Sequence, residues 1–258
     1  MKIYQVDAFT NKVFKGNPAA VVPLNIWISD EIMLAIAQEN NLSETVFFVE
    51  IDGTYDIRWF TPSCEIDLCG HATLAAAHII FSELNYPHKT IEFNSKSGKL
   101  LVEKNKDWYT LNFPSESIEE IETPEVLQKA LNVPILKTFK GKWKLLVELE
   151  NKSVVENLTP NFNLLSQLDS NGIIVTARGE KADFVSRFFA PKLGINEDPV
   201  TGSAHTLLIP FWSEKLNKTK LKAFQLSKRT GYLKCKHLND RVEMSGQAIT
   251  YLKGQLTI

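Results

Sequence analysis

The chain has 258 residues, 44% apolar and 23% charged, the balance of a globular protein long enough for one large domain or two small ones. Its 29 basic and 30 acidic residues nearly cancel and form no basic stripe, which argues against nucleic acid as a partner. The longest apolar stretches, such as Leu74–Phe81 and Leu207–Trp212, are too short to cross a bilayer, and three cysteines (Cys64, Cys69, Cys235) leave an odd thiol and no disulfide framework, so a reducing cytoplasm is the expected location.

Met1–Asp7 reads as a strand and not as a signal peptide. Ser29 then caps a helix running to about Asn40. Thr45–Glu50 and Asp56–Thr61 read as strands. Ala72–Leu84 is apolar nearly all round, the pattern of a buried helix. Strands are expected at Thr90–Phe93, Lys99–Glu103 and Trp108–Phe113, the last two joined by an Asn105-Lys106-Asp107 turn. Pro114–Thr123 is acidic and polar and reads as an inter-domain linker, giving domains of 1–115 and 116–258 with terminal strands free to cross over. Thr123-Pro124 opens a helix with proline at its first position, and Thr159-Pro160 opens a short one. Ile173–Thr176 and Asp183–Phe189 read as strands, and Ala204–Leu216 as a second buried helix that Pro210 must start or kink. Strands follow at Lys222–Leu226, Tyr232–His237, Val242–Ala248 and Gln255–Ile258.

These elements repeat. Tyr55–Pro62 resembles Phe184–Pro191, Gly70-His71-Ala72 resembles Gly202-Ser203-Ala204, and Ser95–Leu100 resembles Ser227–Leu233. The matches keep their order, at offsets of 129 (Pro62 to Pro191), 132 (Gly70 to Gly202) and 133 (Gly98 to Gly231), so the chain reads as two related halves.

Both repeat glycines fall where a strand hands over to a buried helix. A helix start leaves unpaired N–H groups and the positive end of the helix dipole, a ready seat for a carboxylate. If the halves face each other, two such starts point into one cleft. Taken singly, each glycine also fits a tight turn. The flanking residues differ: Cys69-Gly70-His71-Ala72 in the first half, Asp198-Pro199-Val200-Thr201-Gly202-Ser203 in the second. His71 at a helix start is expected to be a neutral imidazole. Asp198 and Ser203 fit either a polar role in the site or simple turn and cap hydrogen bonds. Glu44, at the mouth of an apolar strand, is a candidate proton carrier if burial raises its pKa, or an exposed acid beside a turn. No pair among the five histidines has metal-ligand spacing, Cys64 and Cys69 lack nearby partner ligands, and no dinucleotide or phosphate loop is present, so neither metal nor cofactor is expected.

Gln5–Thr10, Gly16–Val21, Asn41–Thr45, Cys69–Thr73 and Glu197–Ala204, with Gln225, Ser227, Arg229 and Gly231, resemble the signature blocks of the PhzF-like (phenazine biosynthesis) isomerase family over essentially the whole chain. The resemblance implies an α+β, diaminopimelate-epimerase-like fold of two pseudo-symmetric domains, each a curled sheet around a central apolar helix. It implies an acid/base at Glu44 with polar helpers at His71, Asp198 and Ser203. It also implies a substrate pocket from Asn17, Cys69, Gly70, Ala72, Thr201 and Gly202. The implied chemistry is a cofactor-free proton shift in a small carboxylated substrate, and the implied assembly a homodimer. Related racemases use one cysteine before each repeat glycine. Here Cys69 holds the first position but Thr201 the second, and a hydroxyl is too weak an acid/base to replace a thiol. A one-sided proton shift therefore fits better than a racemase using Cys69. A non-catalytic small-molecule-binding protein on the same scaffold is the third reading.

Overall fold

A computed structural model describes all residues, Met1–Ile258. The chain forms two compact units, Met1–Asn112 with Ser245–Ile258, and Phe113–Met244. The break expected after residue 115 falls after Asn112, and residues 245–258, assigned by sequence to the second half, fold into the first unit.

The first 114 residues form β1 (Lys2–Ala8), β2 (Asn17–Leu24), α1 (Asp30–Asn40), β3 (Glu44–Ile51), β4 (Thr54–Phe60), β5 (Glu65–Ile66), α2 (Gly70–Glu83), β6 (Thr90–Ser95), β7 (Gly98–Asn105) and β8 (Trp108–Pro114). Next come β9 (Glu119–Ile121), α3 (Glu125–Leu131), β10 (Ile135–Lys140), β11 (Lys144–Leu149), α4 (Lys152–Asn157), α5 (Phe162–Leu165), β12 (Gly172–Arg178), β13 (Phe184–Ala190) and β14 (Ile195–Asp198). The chain ends with α6 (Gly202–Leu216), β15 (Lys220–Gln225), β16 (Gly231–Leu238), β17 (Arg241–Gly246) and β18 (Ala248–Gln255).

The repeat is visible in strand pairing. In the first unit β2 runs parallel to β3 through α1, β3 pairs antiparallel with β4, and β4 runs parallel to β6. In the second, β11 runs parallel to β12 through α4 and α5, β12 pairs antiparallel with β13, and β13 runs parallel to β15. Matching arginines clamp matching strands: Arg58 grips Glu65 through two bonds of 2.8 Å, and Arg187 grips Glu197 at 2.7 and 3.0 Å. Such two-pronged ion pairs fix the geometry of a short strand against its neighbour.

Each unit is cored by one apolar helix. Leu74, Ala75, Ala76, Ala77, Ile79 and Ile80 of α2 are fully buried, and α2 packs on β1, β2, β3 and β18. In α6, Leu207, Leu208, Ile209 and Trp212 are buried, and the Trp212 indole N–H donates to Thr176 at 2.9 Å. Each large aliphatic side chain so buried contributes about 1.5–3 kcal/mol. Met33 and Ile36 of α1 cover a second face with Val22, Phe47 and Phe60. Leu127, Leu131, Val155 and Leu165 do so in the second unit against Ile173, Val175 and Phe189.

Several elements depart from the sequence reading. Pro210 neither starts nor ends α6, which runs through it. Proline has no N–H for the Thr206 carbonyl, and the Glu116 N–H takes that carbonyl at 3.0 Å instead. Pro124 and Asn161 stand just outside their helices as capping residues, and the Pro114–Thr123 linker contains β9. The strand expected over Val242–Ala248 is two strands broken at Gln247, and the last strand is Ala248–Gln255. No helix is long and apolar enough to cross a membrane.

Candidate functional site

In the first unit three element starts converge. Asn17 opens β2, Glu44 opens β3, and Cys69 caps α2. Parallel pairing sets Ala19 beside Glu44. The loop before Asn17 lies tight on β1: the buried Asp7 carboxylate accepts the Phe14 N–H at 2.8 Å, and Gly16 has φ +66° with its Cα so close that a Cβ would stand 2.1 Å from the Ala8 oxygen. Only glycine fits there.

The three starts meet at His71. Its Nε2 lies 3.0 Å from Glu44 Oε2, though the two atoms lack the alignment of a hydrogen bond. Its Nδ1 faces the Asn17 amide at 3.2 Å and Cys69 Sγ at 3.5 Å. Fractional exposures are 0% for Asn17, 8% for Glu44, 7% for Cys69 and 4% for His71. Glu44 is thus not an exposed acid beside a turn. No side chain caps α2, so its first N–H groups, those of Gly70 and Ala72 among them, keep the character of an anion seat.

One expectation about charge is corrected here. Burial disfavours the imidazolium form of His71, but the Glu44 carboxylate beside it outweighs this and holds the ring well above the ordinary histidine value. A neutral ring was expected from the helix dipole alone, and a carboxylate 3.0 Å away is the stronger field. The Cys69 thiol, although it stands at a helix start, is pushed up by burial and by Glu44. Cys69 also does not lack partner donors, because Glu44 arrives from a distant part of the sequence.

In the second unit the corresponding helix start is a hydrogen-bonded bracket. Thr201 caps α6 with its backbone, without a side-chain cap. Its hydroxyl donates to Asp198 Oδ2 in a short bond, and its N–H donates to Gln225 Oε1 at 2.8 Å. Gln225 Nε2 donates to the Asp198 carbonyl at 2.8 Å and to the Thr201 hydroxyl at 3.1 Å. Gly231 backs this turn, since a Cβ there would stand 2.3 Å from a Val200 methyl. Asp198, Thr201 and Gly202 are buried, whereas Ser203 is exposed. Inside α6, buried His205 donates Nδ1–H to the Thr201 carbonyl at 2.8 Å, and burial pulls its pKa down to about 4.

Gln225 organises this bracket, yet it was outside the predicted site set. Its signal was its place in a signature block.

A family model described as phenazine biosynthesis-like protein (PhzC-PhzF) matches residues 6–254. A curated Pseudomonas aeruginosa protein named an uncharacterized isomerase is 46% identical over 258 residues, spanning 100% of this chain and 99% of its own. The crystal structure of a PhzF family protein from Enterococcus faecalis superposes with a TM-score of 0.98 at 46% identity, covering 100% of this chain and 99% of that one. A hydroxyproline epimerase from Agrobacterium vitis, at 9% identity, shares the fold with a TM-score of 0.63 over 98% of this chain and 91% of its own. The α+β, epimerase-like fold expected from the signature blocks is the fold of this chain.

Proposed function

This chain belongs to the phenazine biosynthesis-like PhzF family, a family of isomerase type, and from that premise we propose that it catalyses a cofactor-independent proton shift in a small carboxylated metabolite. Glu44 is the acid/base. The observation that carries the reading is the buried Glu44–His71 contact of 3.0 Å at the uncapped start of α2.

The Glu44 carboxylate removes a proton from a substrate carbon whose neighbours delocalise the electron pair left behind. It then returns the same proton to another carbon of that system, so the reaction needs no oxidant, reductant or cofactor. His71, held charged beside it, orients the carboxylate and offsets its charge while the substrate carries the negative charge. The N–H groups of Gly70 and Ala72 are assigned to the substrate carboxylate, with Asn17 and Cys69 lining the pocket. In the second unit, Thr201 and Gly202 are assigned to substrate binding, and Asp198 and Ser203 to polar roles in turnover. Cys69, whose thiol is held protonated, lines the pocket and does not act as a base. A cytoplasmic homodimer without nucleic-acid or membrane partners completes the reading.

The test is Glu44→Gln, assayed by wash-in of solvent deuterium into candidate carboxylic acids. The substitution keeps shape and removes the proton carrier, so exchange should fall by roughly 10²–10⁴-fold. Full exchange in the variant would refute the assignment.

A further inference from the structure

The Glu44, Cys69 and His71 side chains offer one carboxylate oxygen, one sulfur and one imidazole nitrogen, all within 4.8 Å of one another and all buried. Oxygen, nitrogen and sulfur together are the donor set of zinc and its softer relatives, and magnesium or calcium would demand oxygen alone. Glu44 Oε2 and His71 Nε2 are buried, make no aligned hydrogen bond and have only each other as an ion-pair partner at 3.0 Å, with no lysine or arginine on Glu44. The Asn17 amide nitrogen lies 3.2 Å from His71 Nδ1 and holds the ring in place. Three protein donors leave a fourth position open, the arrangement that exchanges water for a ligand. The second unit has no counterpart: the positions matching Cys69 and His71 are Thr201 and Ser203.

We propose that Glu44, Cys69 and His71 form a site for one thiophilic divalent cation per chain, of the zinc and cadmium class, and that the bound cation blocks turnover. On binding, the Cys69 S–H proton and one imidazolium N–H proton of His71 pass to solvent, and the sulfur and the freed nitrogen each donate an electron pair to the cation. The site stands on its three donors alone. The inhibition rests on the reading of Glu44 as the acid/base, because a carboxylate that ligates a cation cannot carry a proton.

The test is titration of the full chain with cadmium, followed by the ultraviolet sulfur-to-cadmium charge-transfer band, and with zinc by equilibrium dialysis. One equivalent should bind with a single sulfur ligand. Cys69→Ser should abolish the band and weaken zinc at least about 100-fold, since loss of even an outer partner costs roughly 10–100-fold. Cys64→Ser, at an exposed thiol, should change neither. X-ray absorption of the cadmium-loaded wild-type chain reads the sulfur neighbour directly and needs no variant to fold. A band that survives Cys69→Ser, or a cadmium without a sulfur neighbour, overturns the site and leaves the proposed function standing. Stoichiometric binding through sulfur with turnover unchanged keeps the site and overturns the role of Glu44.

Discussion

At the start of α2 the capping residue is a cysteine, followed two positions later by a histidine that faces a glutamate. At the start of α6 it is a threonine, followed by an exposed serine and tied down by Asp198 and Gln225. The backbone device is the same in both, a helix of apolar core residues entered without a side-chain cap. The side chains around it divide into two chemistries. The first start holds groups that exchange protons, with a histidine pushed up and a thiol pushed up. The second holds a carboxyl, an amide and a hydroxyl group that fix one another. The two units share the apolar helix and the strand order around it, and differ in the polar side chains at the helix start.

The arginine clamps sharpen this comparison first. Arg187 is the more buried of the two, and besides Glu197 it donates to the Leu158 carbonyl at 2.6 Å and the Val155 carbonyl at 3.2 Å. Arg187→Met should cost about 3 kcal/mol in denaturant unfolding, because it strands a carboxylate and two carbonyls. Arg58→Met should cost about 1–2 kcal/mol, since its partner Glu65 keeps Lys96. Equal costs would mean that the carbonyl contacts of Arg187 add nothing.

Gln225→Leu comes next. It removes three hydrogen bonds from a fully buried position and takes the Gln225 amide away from the Thr201 N–H and the Asp198 carbonyl. The expected loss is about 1–3 kcal/mol, read in the same unfolding assay.

The last contrast is in acid stability. His205 in the second unit and His78 in the first, between Tyr109 and Thr250, are both pulled down by burial to about 4 from 6.5. Their unfolded forms bind protons that the folded forms refuse, so stability is complete above about pH 6.5 and falls as pH drops toward 4. His205→Gln and His78→Gln should each flatten part of that slope in unfolding measured across this range. An unchanged slope in both would assign the acid loss to other groups.

The repeat was legible because it lies in local strings such as Gly70-His71-Ala72 and Gly202-Ser203-Ala204. The buried helices were legible from their unbroken apolar pattern, and α1 from Ser29 at its cap. β11 was missed although Leu145–Leu149 is largely apolar and buried; β10 was not read, because Ile135–Lys140 carries little apolar pattern and is held by pairing with β9 and β11. The C-terminal strand was misplaced for a like reason: β18 is largely exposed and is fixed by pairing with β1 at the other end of the chain. Gly246 and Gln247 break what looks like one strand because Gly246 lies against Phe9, where a Cβ would stand 2.3 Å from the ring. Glu44, His71, Asp198 and Ser203 were singled out from type and position, and Cys69 through the family resemblance. Their ionisation was not legible, because the charge on His71 is set by Glu44, which parallel pairing of β2 and β3 brings near.

The measurement that bears most directly on the division of labour is solvent-deuterium exchange compared across Glu44→Gln, Cys69→Ser and wild type on one turned-over substrate. Glu44→Gln should lose exchange by roughly 10²–10⁴-fold while Cys69→Ser stays within about tenfold of wild type. Exchange that survives Glu44→Gln and vanishes in Cys69→Ser would contradict the account and make the thiol the base.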